Sequence, residues 1–332
     1  MTIVLTILLI VISAFSIFVG AYDVTIKGIL EDGTHQVMLL LNSRLPRLFA
    51  IICTGAGMSV AGLIMQNLCM NKFVSPTTGA TITSSQLGII VALVFMPTAN
   101  LAMRTGFAFF FSILGTCIFV WFIQKIKFKD VVMVPLIGIM FSSVIGGVVS
   151  YLSYEYDLVQ VLSSMLVGDF SLILAGRYEI VFIALPLIVI AFIYANHFNI
   201  VGMGENFTKN LGVKYKPIMF GGLIIAAVIT AAVVVTVGTI SYIGLIIPNI
   251  VSMFKGDKIR DSLFDVALFG ALFVLICDII GRIVIRPYEL PIELIIGVVG
   301  SLVFIILLFI RLSEGKPKIP KKSKGKEIAI NG

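Results

Sequence analysis

The sequence has little charge and few of the side chains that catalysis uses most often. Of its 332 residues, 12% are Asp, Glu, Lys or Arg, two are His and one is Trp, whereas 59% are hydrophobic. The mean hydropathy is +1.12. A soluble domain cannot bury this much apolar surface, so the sequence predicts a chain surrounded mainly by lipid, with no room for a separate soluble domain.

Motifs for covalent chemistry and nucleotide binding are also missing. No nucleophile, carboxylate pair or set of metal ligands occurs at a usable spacing within the apolar runs. The phosphate-binding pattern GxxxxGK[ST] is absent: the pair Gly315–Lys316 has Ile310 at the first glycine position and Pro317 after the lysine, and the pair Gly325–Lys326 has Pro320 and Glu327 there. The sequence therefore predicts a chain that is not an enzyme, binds no metal and holds no cofactor.

Ten apolar segments predict an all-α, polytopic membrane protein with about ten transmembrane helices, in one permease domain over residues 1–312. The spans lie near residues 2–21, 46–69, 79–96, 105–123, 131–153, 179–196, 217–237, 241–254, 262–285 and 292–311. A crossing needs about 20 residues, so the eighth span is too short even for an untilted crossing. It is either a half-helix whose ends at Gly238 and Pro248 are shielded by neighbours, or a wrongly divided element.

The distribution of basic residues predicts the orientation. The net charge of +7 does not indicate nucleic-acid binding, because the lysines are spread over short segments and one tail. Of the 24 Lys and Arg residues, 17 fall on one face of the predicted topology and 7 on the other. Because basic residues favour the cytoplasmic face, both termini are expected in the cytoplasm.

The final segment, 313–332, is rich in lysine, contains two prolines and has no apolar periodicity. We expect it to be a disordered cytoplasmic tail held near anionic membrane lipid, where each lysine close to the surface contributes about 1 kcal/mol.

Asp278 is the carboxylate that the span predictions place deepest in a helix, and Arg282 follows it at i+4. An acid before a base at this spacing favours a structural ion pair. The alternative is a direct role of Asp278 in transport, as in ion-coupled carriers.

Small residues occupy every fourth position of the fifth span, at Gly138, Ser142, Gly146 and Ser150. Such a stripe allows neighbouring helices to pack closely, and it also leaves room for a bulky substrate if the helix lines a passage. Both interpretations stay open at this point.

Two polar segments flank predicted spans. Residues 202–216, GMGENFTKNLGVKYK, exceed the two to eight residues that a plain connection needs, and they contain one possible helical turn at 208–211. This length predicts a docking surface for a cytoplasmic partner. At the opposite face, Arg44 and Arg47 surround Pro46 at the start of the second span, where a proline suits the first helical turn and arginines can anchor at lipid headgroups.

Four segments resemble the FecCD-type permeases of type II ABC importers, which take up iron-siderophore complexes, haem and vitamin B12. The segments are RLPR at 44–47, GLIMQNLCMN at 62–71 with Pro76 after it, GTISYIGLIIPNIV at 238–251, and DIIGR with ELP at 278–282 and 289–291. The resemblance implies the BtuC-like fold, with ten helices in each of two permease subunits around a central pathway.

The same resemblance implies partners and roles. Two cytoplasmic ABC ATPase subunits would bind ATP and Mg²⁺, and an extracytoplasmic binding protein would deliver the ligand. In relatives, arginines that match Arg44, Arg47 and Arg282 meet glutamates of the binding protein, and the fifth helix lines the passage. The loop that enters a cleft on the ATPase matches Gly204, Glu205, Thr208, Leu211 and Gly212.

The stretch NKFVSPTTGATITSSQLG at 71–88 is similar to the subgroup that handles catecholate siderophores, in which two different permease chains often pair. The resemblance therefore favours a heterodimer over a homodimer. The sequence departs from the common family pattern at four positions: Lys72 replaces Pro, Thr208 replaces Ala, Asn249 replaces His and Glu293 replaces Gly.

Together these features predict a permease subunit of the bacterial plasma membrane that imports an iron(III)-siderophore, expected to be a catecholate. A haem or corrinoid permease is the alternative substrate class. A secondary carrier driven by protons or sodium is the alternative transport class, and for it neutralising Asp278 would be more harmful than neutralising Arg44.

Overall fold

The computed structural model describes residues 1–19, 37–38, 40–126, 133–171, 173, 176, 178–285 and 288–314. The predicted tail, apart from Ser313 and Glu314, lies outside the described residues, and so do Lys27, Lys127, Lys129, Arg177 and Arg286 of the charge count.

The described part of the chain is all-helical. The first half contains α1 (Thr2–Phe18), a π-helical turn (Leu40–Arg44), α2 (Leu45–Leu68), α3 (Thr81–Phe95), α4 (Leu101–Lys125), α5 (Met133–Glu155) and α6 (Val159–Leu166). The second half contains a 3₁₀ turn (Glu179–Ile183), α7 (Ala184–Ile193), α8 (Ala195–Val201), α9 (Glu205–Asn210), α10 (Tyr215–Thr236), α11 (Ile243–Lys255), α12 (Ile259–Ile283) and α13 (Ile292–Glu314).

An apolar helical segment lies at each of the ten predicted spans, but fewer are long enough to cross a bilayer. Among the described residues, five helices meet the length and composition of a span, and the bent pair formed by 179–193 and 195–201 would be a sixth. The shorter apolar helices are Thr2–Phe18, Thr81–Phe95, Ile243–Lys255 and Ile292–Leu307. The structure therefore confirms the all-helical class and several spans, whereas a count of ten crossings stays a prediction.

Two predicted segments differ from the structure in detail. The sixth span is not one straight helix, because α7 and α8 meet at an angle of 65°. Pro248 does not end the eighth span but lies inside α11, where its ring is buried. The short α11 is preceded by Gly238 with a φ of +95° and by Tyr242 with a φ of +66°.

Helix α2 forms the centre of the fold and packs against α10, α11 and α12. Two glycines on α2 allow this. A Cβ at Gly55 would lie 2.5 Å from the Gly270 carbonyl oxygen of α12, and a Cβ at Gly62 would overlap the Gly244 carbonyl oxygen of α11. The small residues therefore let two helix backbones touch α2 directly, as in other close membrane helix pairs.

Contacts between distant residues gather the helix ends into two groups that agree with the predicted topology. At one end, which we call the Thr2 end, Lys255 reaches Thr2 and Asn199 accepts a hydrogen bond from the Ile259 amide. At the other, the Arg47 end, α2 begins beside the last turn of α12 and the end of α1. Segments that were predicted on one face thus lie together.

Candidate functional site

Arg47 lies in a buried ionic cluster at the Arg47 end. Its Nη2 is 2.7 Å from Asp278 Oδ1 on α12, and its Nη1 is 2.6 Å from Glu289 Oε2 in the link between α12 and α13. The exposed fractions are 11% for the Arg47 side chain, 2% for Asp278 and 22% for Glu289. Both acidic partners come from this chain, so the guanidinium already holds the carboxylates that it would seek on a binding protein.

Arg282 is more deeply enclosed than Arg47. The structure joins the predicted pair, with Arg282 Nη2 in contact with Asp278 Oδ2. Arg282 Nη1 also donates to the carbonyl oxygens of Ser16 and Val19, at 3.0 and 2.9 Å, and only 3% of its side chain is exposed. These bonds attach the end of α1 to α12. A docking role for Arg282 stays a prediction, and it would require these internal contacts to open.

Arg44 lies half-buried beside the same cluster, where its Nη1 also donates to the Val19 carbonyl oxygen. Pro46 at the second residue of α2 is buried and fits the predicted first turn. The structure thus brings Arg44, Arg47 and Arg282 to one place, and their role in docking stays a prediction.

The predicted coupling loop lies at the Thr2 end and contains a short helix, α9. Helix α9 begins three residues before the predicted turn at 208–211. Gly204, with a φ of +103°, precedes the helix, and Gly212, with a φ of +73°, follows it. Thr208 is fully buried, and its hydroxyl donates to the carbonyl oxygens of Ile200 and Gly204, at 3.0 and 2.7 Å. Thr208 therefore holds the loop together and is not a contact surface.

Three exposed residues of the loop are apolar: Met203, Phe207 and Leu211 are 63%, 47% and 54% exposed. Phe207 and Leu211 lie four residues apart on one side of the helical turn, and Met203 precedes the turn, before Gly204. Sequence reasoning identified Leu211 but missed the other two, although the i, i+4, i+8 pattern was visible. On the polar side, the Lys209 ammonium lies 2.8 Å from the Glu205 carboxylate and lowers the pKa of Glu205.

A cleft of about 770 Å³ opens beside this loop, between α8 and the start of α12. Its lining residues include Asn196, Asn199, Met203, Lys258 and Arg260. The loop and the cleft form one uneven surface, with apolar side chains next to amides and basic groups, which is typical of a surface that receives another protein.

The two interpretations of the small-residue stripe apply to different positions along α5. A Cβ at Gly138 would overlap the Thr78 carbonyl oxygen, so this glycine serves close packing. A Cβ at Gly146 would meet no atom within 4 Å, and Ser142 and Ser150 are only half-buried. The C-terminal half of α5 therefore presents an open face, which also includes the exposed residues Val144 and Tyr151.

The structure also reveals a buried carboxylate that sequence reasoning missed. Asp265 lies on α12 with no exposed surface, and its Oδ2 contacts the Lys255 ammonium. The residue belongs to a predicted span, so its depth could have been suspected. Its partner could not, because Lys255 lies on a different helix.

Comparisons with known proteins identify relatives of this chain. A sequence profile of the FecCD transport family matches residues 7–310. A petrobactin import permease of Bacillus subtilis is 44% identical over 307 residues, covering 92% of this chain and 97% of that protein. A ferric-anguibactin transport permease of Vibrio anguillarum is 37% identical, covering 89% and 94%. A solved structure titled as an inward-facing ABC transporter of the metal-chelate type superposes with a TM-score of 0.79 at 25% identity, over 93% of this chain and 98% of that one.

Proposed function

The chain belongs to the FecCD transport family, and from this membership we propose that it is the permease subunit of a bacterial ABC importer for an iron(III)-siderophore. The observation that carries the proposal is the 44% identity to a petrobactin permease over nearly the full length of both chains. Shared membrane composition alone would not extend a match of this identity over loops as well as helices.

The proposed substrate class follows from two relatives with related cargo. One is named for import of petrobactin and the other for ferric-anguibactin. Together with the 71–88 segment, whose sequence resembles the catecholate subgroup, they support a ferric siderophore with catecholate groups. Haem and corrinoids are the competing cargoes.

The proposed partners are two cytoplasmic ABC ATPase subunits, a second permease chain and an extracytoplasmic binding protein. The exposed apolar face of Met203, Phe207 and Leu211 supports the placement of an ATPase at the Thr2 end. The open face of α5 supports a second permease chain across a shared passage, and the family subgroup favours a different chain over a second copy. In this arrangement both termini lie in the cytoplasm.

The two buried carboxylates argue against a secondary carrier. Asp278 contacts Arg47 and Arg282, and Asp265 contacts Lys255. A carboxylate that binds and releases a coupling ion must exchange partners during each cycle, whereas each of these carboxylates already contacts a cation of this chain. The energy for transport is therefore assigned to ATP hydrolysis in the partner subunits.

The test is uptake by the reconstituted complex. The chain would be co-expressed with its partner permease, ATPase and binding protein, reconstituted in liposomes, and supplied with radiolabelled iron as ferric petrobactin. We expect uptake that requires enclosed ATP and stops with vanadate. A ferric hydroxamate, haem and cobalamin serve as matched cargoes.

Each alternative predicts a different result in this assay. Uptake of haem or cobalamin in preference to ferric petrobactin would replace the substrate class but keep the ABC permease. Uptake that ignores vanadate and collapses with an uncoupler would replace the transport class.

A further inference from the structure

Three links that are distant in the sequence meet at the Arg47 end. The first is 165–169, which comprises the last two residues of α6 and the three after it; the second is 237–242, between α10 and α11; the third is the first turn of α13. Their contact therefore connects the end of α6, the junction of α10 and α11, and the start of α13 at one point.

The first two links are bonded through their backbones. The Thr239 amide donates to the Met165 carbonyl oxygen at 3.1 Å, and the Asp169 amide donates to the Val237 carbonyl oxygen at 3.0 Å. A Cβ at Gly168 would overlap the Thr239 carbonyl oxygen, so the two chains cross at the closest possible distance.

Glu293 joins this crossing to α13. Its Oε2 accepts a hydrogen bond from the Ser241 amide at 2.9 Å, and its Oε1 accepts one from the Ser241 hydroxyl at 2.7 Å. Its own amide donates to the Gly168 carbonyl oxygen at 3.2 Å. A single residue on α13 therefore holds both of the other links.

The residue after Ser241 is under backbone strain. Tyr242 has a φ of +66°, a conformation that non-glycine residues seldom adopt, and α11 begins at the next residue. Such a conformation persists only when neighbouring contacts determine it. The two bonds from Glu293 to Ser241 are contacts of this kind.

We propose that Glu293 is a positioning residue for transport: it makes the three links move as one unit, so that a shift of α5 and α6 also shifts α11 and α13. The proposal rests on the proposed function, because it assigns the unit to the opening of the passage beside α5. Packed helices shift between discrete arrangements, and a bonded crossing makes several of them shift together. It also gives a physical role to a glutamate where glycine is common in the family.

The first test measures amide hydrogen exchange of the full chain in lipid nanodiscs by mass spectrometry. Glu293→Gln keeps the size of the side chain but replaces both charge-assisted bonds to Ser241 by weaker neutral ones, and the Ser241 hydroxyl must turn to accept from the new amide group. We expect exchange of the Thr239 and Asp169 amides to become about tenfold faster, although neither is bonded to Glu293. Glu179→Gln is the matched control, since the Glu179 carboxylate accepts one hydrogen bond, from the nearby Gly176 amide.

The second test compares ATP-driven uptake by reconstituted complexes that contain equal amounts of folded permease. Glu293→Gln should lower the maximal uptake rate about tenfold while binding-protein affinity is unchanged, whereas Glu179→Gln should match the wild type. Ser241→Ala, which removes only the hydroxyl bond, should give an intermediate rate and keeps the test valid if Glu293→Gln folds poorly.

Three outcomes overturn the proposal. They are unchanged exchange at Thr239 and Asp169 in Glu293→Gln, equal acceleration by Glu179→Gln, or faster exchange with an uptake rate equal to that of the control. Failure of the proposed function is a different result, because then the wild-type complex itself takes up no ferric siderophore.

Discussion

Arg47 and Asp278 are 231 residues apart in the sequence and share two hydrogen bonds, from Nη2 at 2.7 Å and from Nε at 3.2 Å, both to Oδ1. The pair connects the start of α2 to the last turns of α12 with little access to water. Reversing the charge at Arg47 would place a third carboxylate beside Asp278 and Glu289. Such a variant would therefore test folding more than docking.

Neutralising Arg47 should destabilise the permease. Arg47→Met removes one of the two arginines that contact Asp278 and leaves Arg282, and breaking a buried ion pair on one side costs about 3–5 kcal/mol. The thermal midpoint of the detergent-purified chain should fall clearly. Glu289→Gln is the control, because Glu289 is 22% exposed and its loss should cost only about 1 kcal/mol. Equal midpoints for the two variants would contradict the assignment.

Arg44 is the better residue for testing docking of the binding protein. Arg44 donates to the Val19 carbonyl oxygen, which also accepts a hydrogen bond from Arg282, so this oxygen keeps a donor when Arg44 is replaced. Arg44→Glu should leave the chain folded and weaken association with the binding protein by about tenfold or more, since it places like charge opposite an acidic partner. The affinity should be measured by surface plasmon resonance at two salt concentrations. Unchanged affinity at low salt would remove Arg44 from the docking surface.

The coupling loop should separate contact residues from residues that hold its shape. Phe207→Ser removes an exposed apolar side chain, so it should release the ATPase from the purified complex while the permease keeps its thermal midpoint. Thr208→Val removes two hydrogen bonds of a buried hydroxyl and should lower the midpoint by destabilising the loop. Lys209→Ala, on the polar side, serves as the control for both. Retention of the ATPase by Phe207→Ser would show that the docking face lies elsewhere.

Much of the fold could be predicted because the positions of apolar segments are a local property of the sequence. The Asp278–Arg282 pair was predictable for the same reason, since both residues lie one turn apart on a helix. The Lys255–Asp265 and Ser241–Glu293 contacts were not, because each joins different helices, and no single sequence indicates which helices pack together. The depth of Arg47 was missed because a residue at a helix mouth can face either solvent or its own bundle.

The glycines on α2 and α5 should respond differently to the same substitution. Gly62→Ala drives a methyl group into the backbone of α11, which cannot move without breaking its own hydrogen bonds, so folded protein should be lost. Gly146→Ala enters open space and should fold at the wild-type level. If the open face of α5 lines the passage, Gly146→Ala will slow uptake of a bulky siderophore without lowering stability. Size-exclusion chromatography and uptake measure the two effects separately, and loss of folded Gly146→Ala would show that this face is packed.

Lys255 should stabilise the Thr2 end by compensating a carboxylate that no water reaches. Asp265 is fully buried, and its carboxylate contacts the Lys255 ammonium. Lys255→Met leaves the Asp265 carboxylate buried without its cation, so it should lower the free energy of unfolding by about 3–5 kcal/mol. Asp265→Asn should cost less, because the Lys255 side chain is 30% exposed and can turn its ammonium to water.

The double variant Lys255→Met with Asp265→Asn removes both charges, so it should recover most of the stability lost by Lys255→Met alone. Thermal midpoints of the four proteins form a complete cycle. The contradicting result is that Lys255→Met and Asp265→Asn lower the midpoint equally and that their effects simply add in the double variant. The two residues would then not be coupled, and another group would have to compensate the buried charge of Asp265.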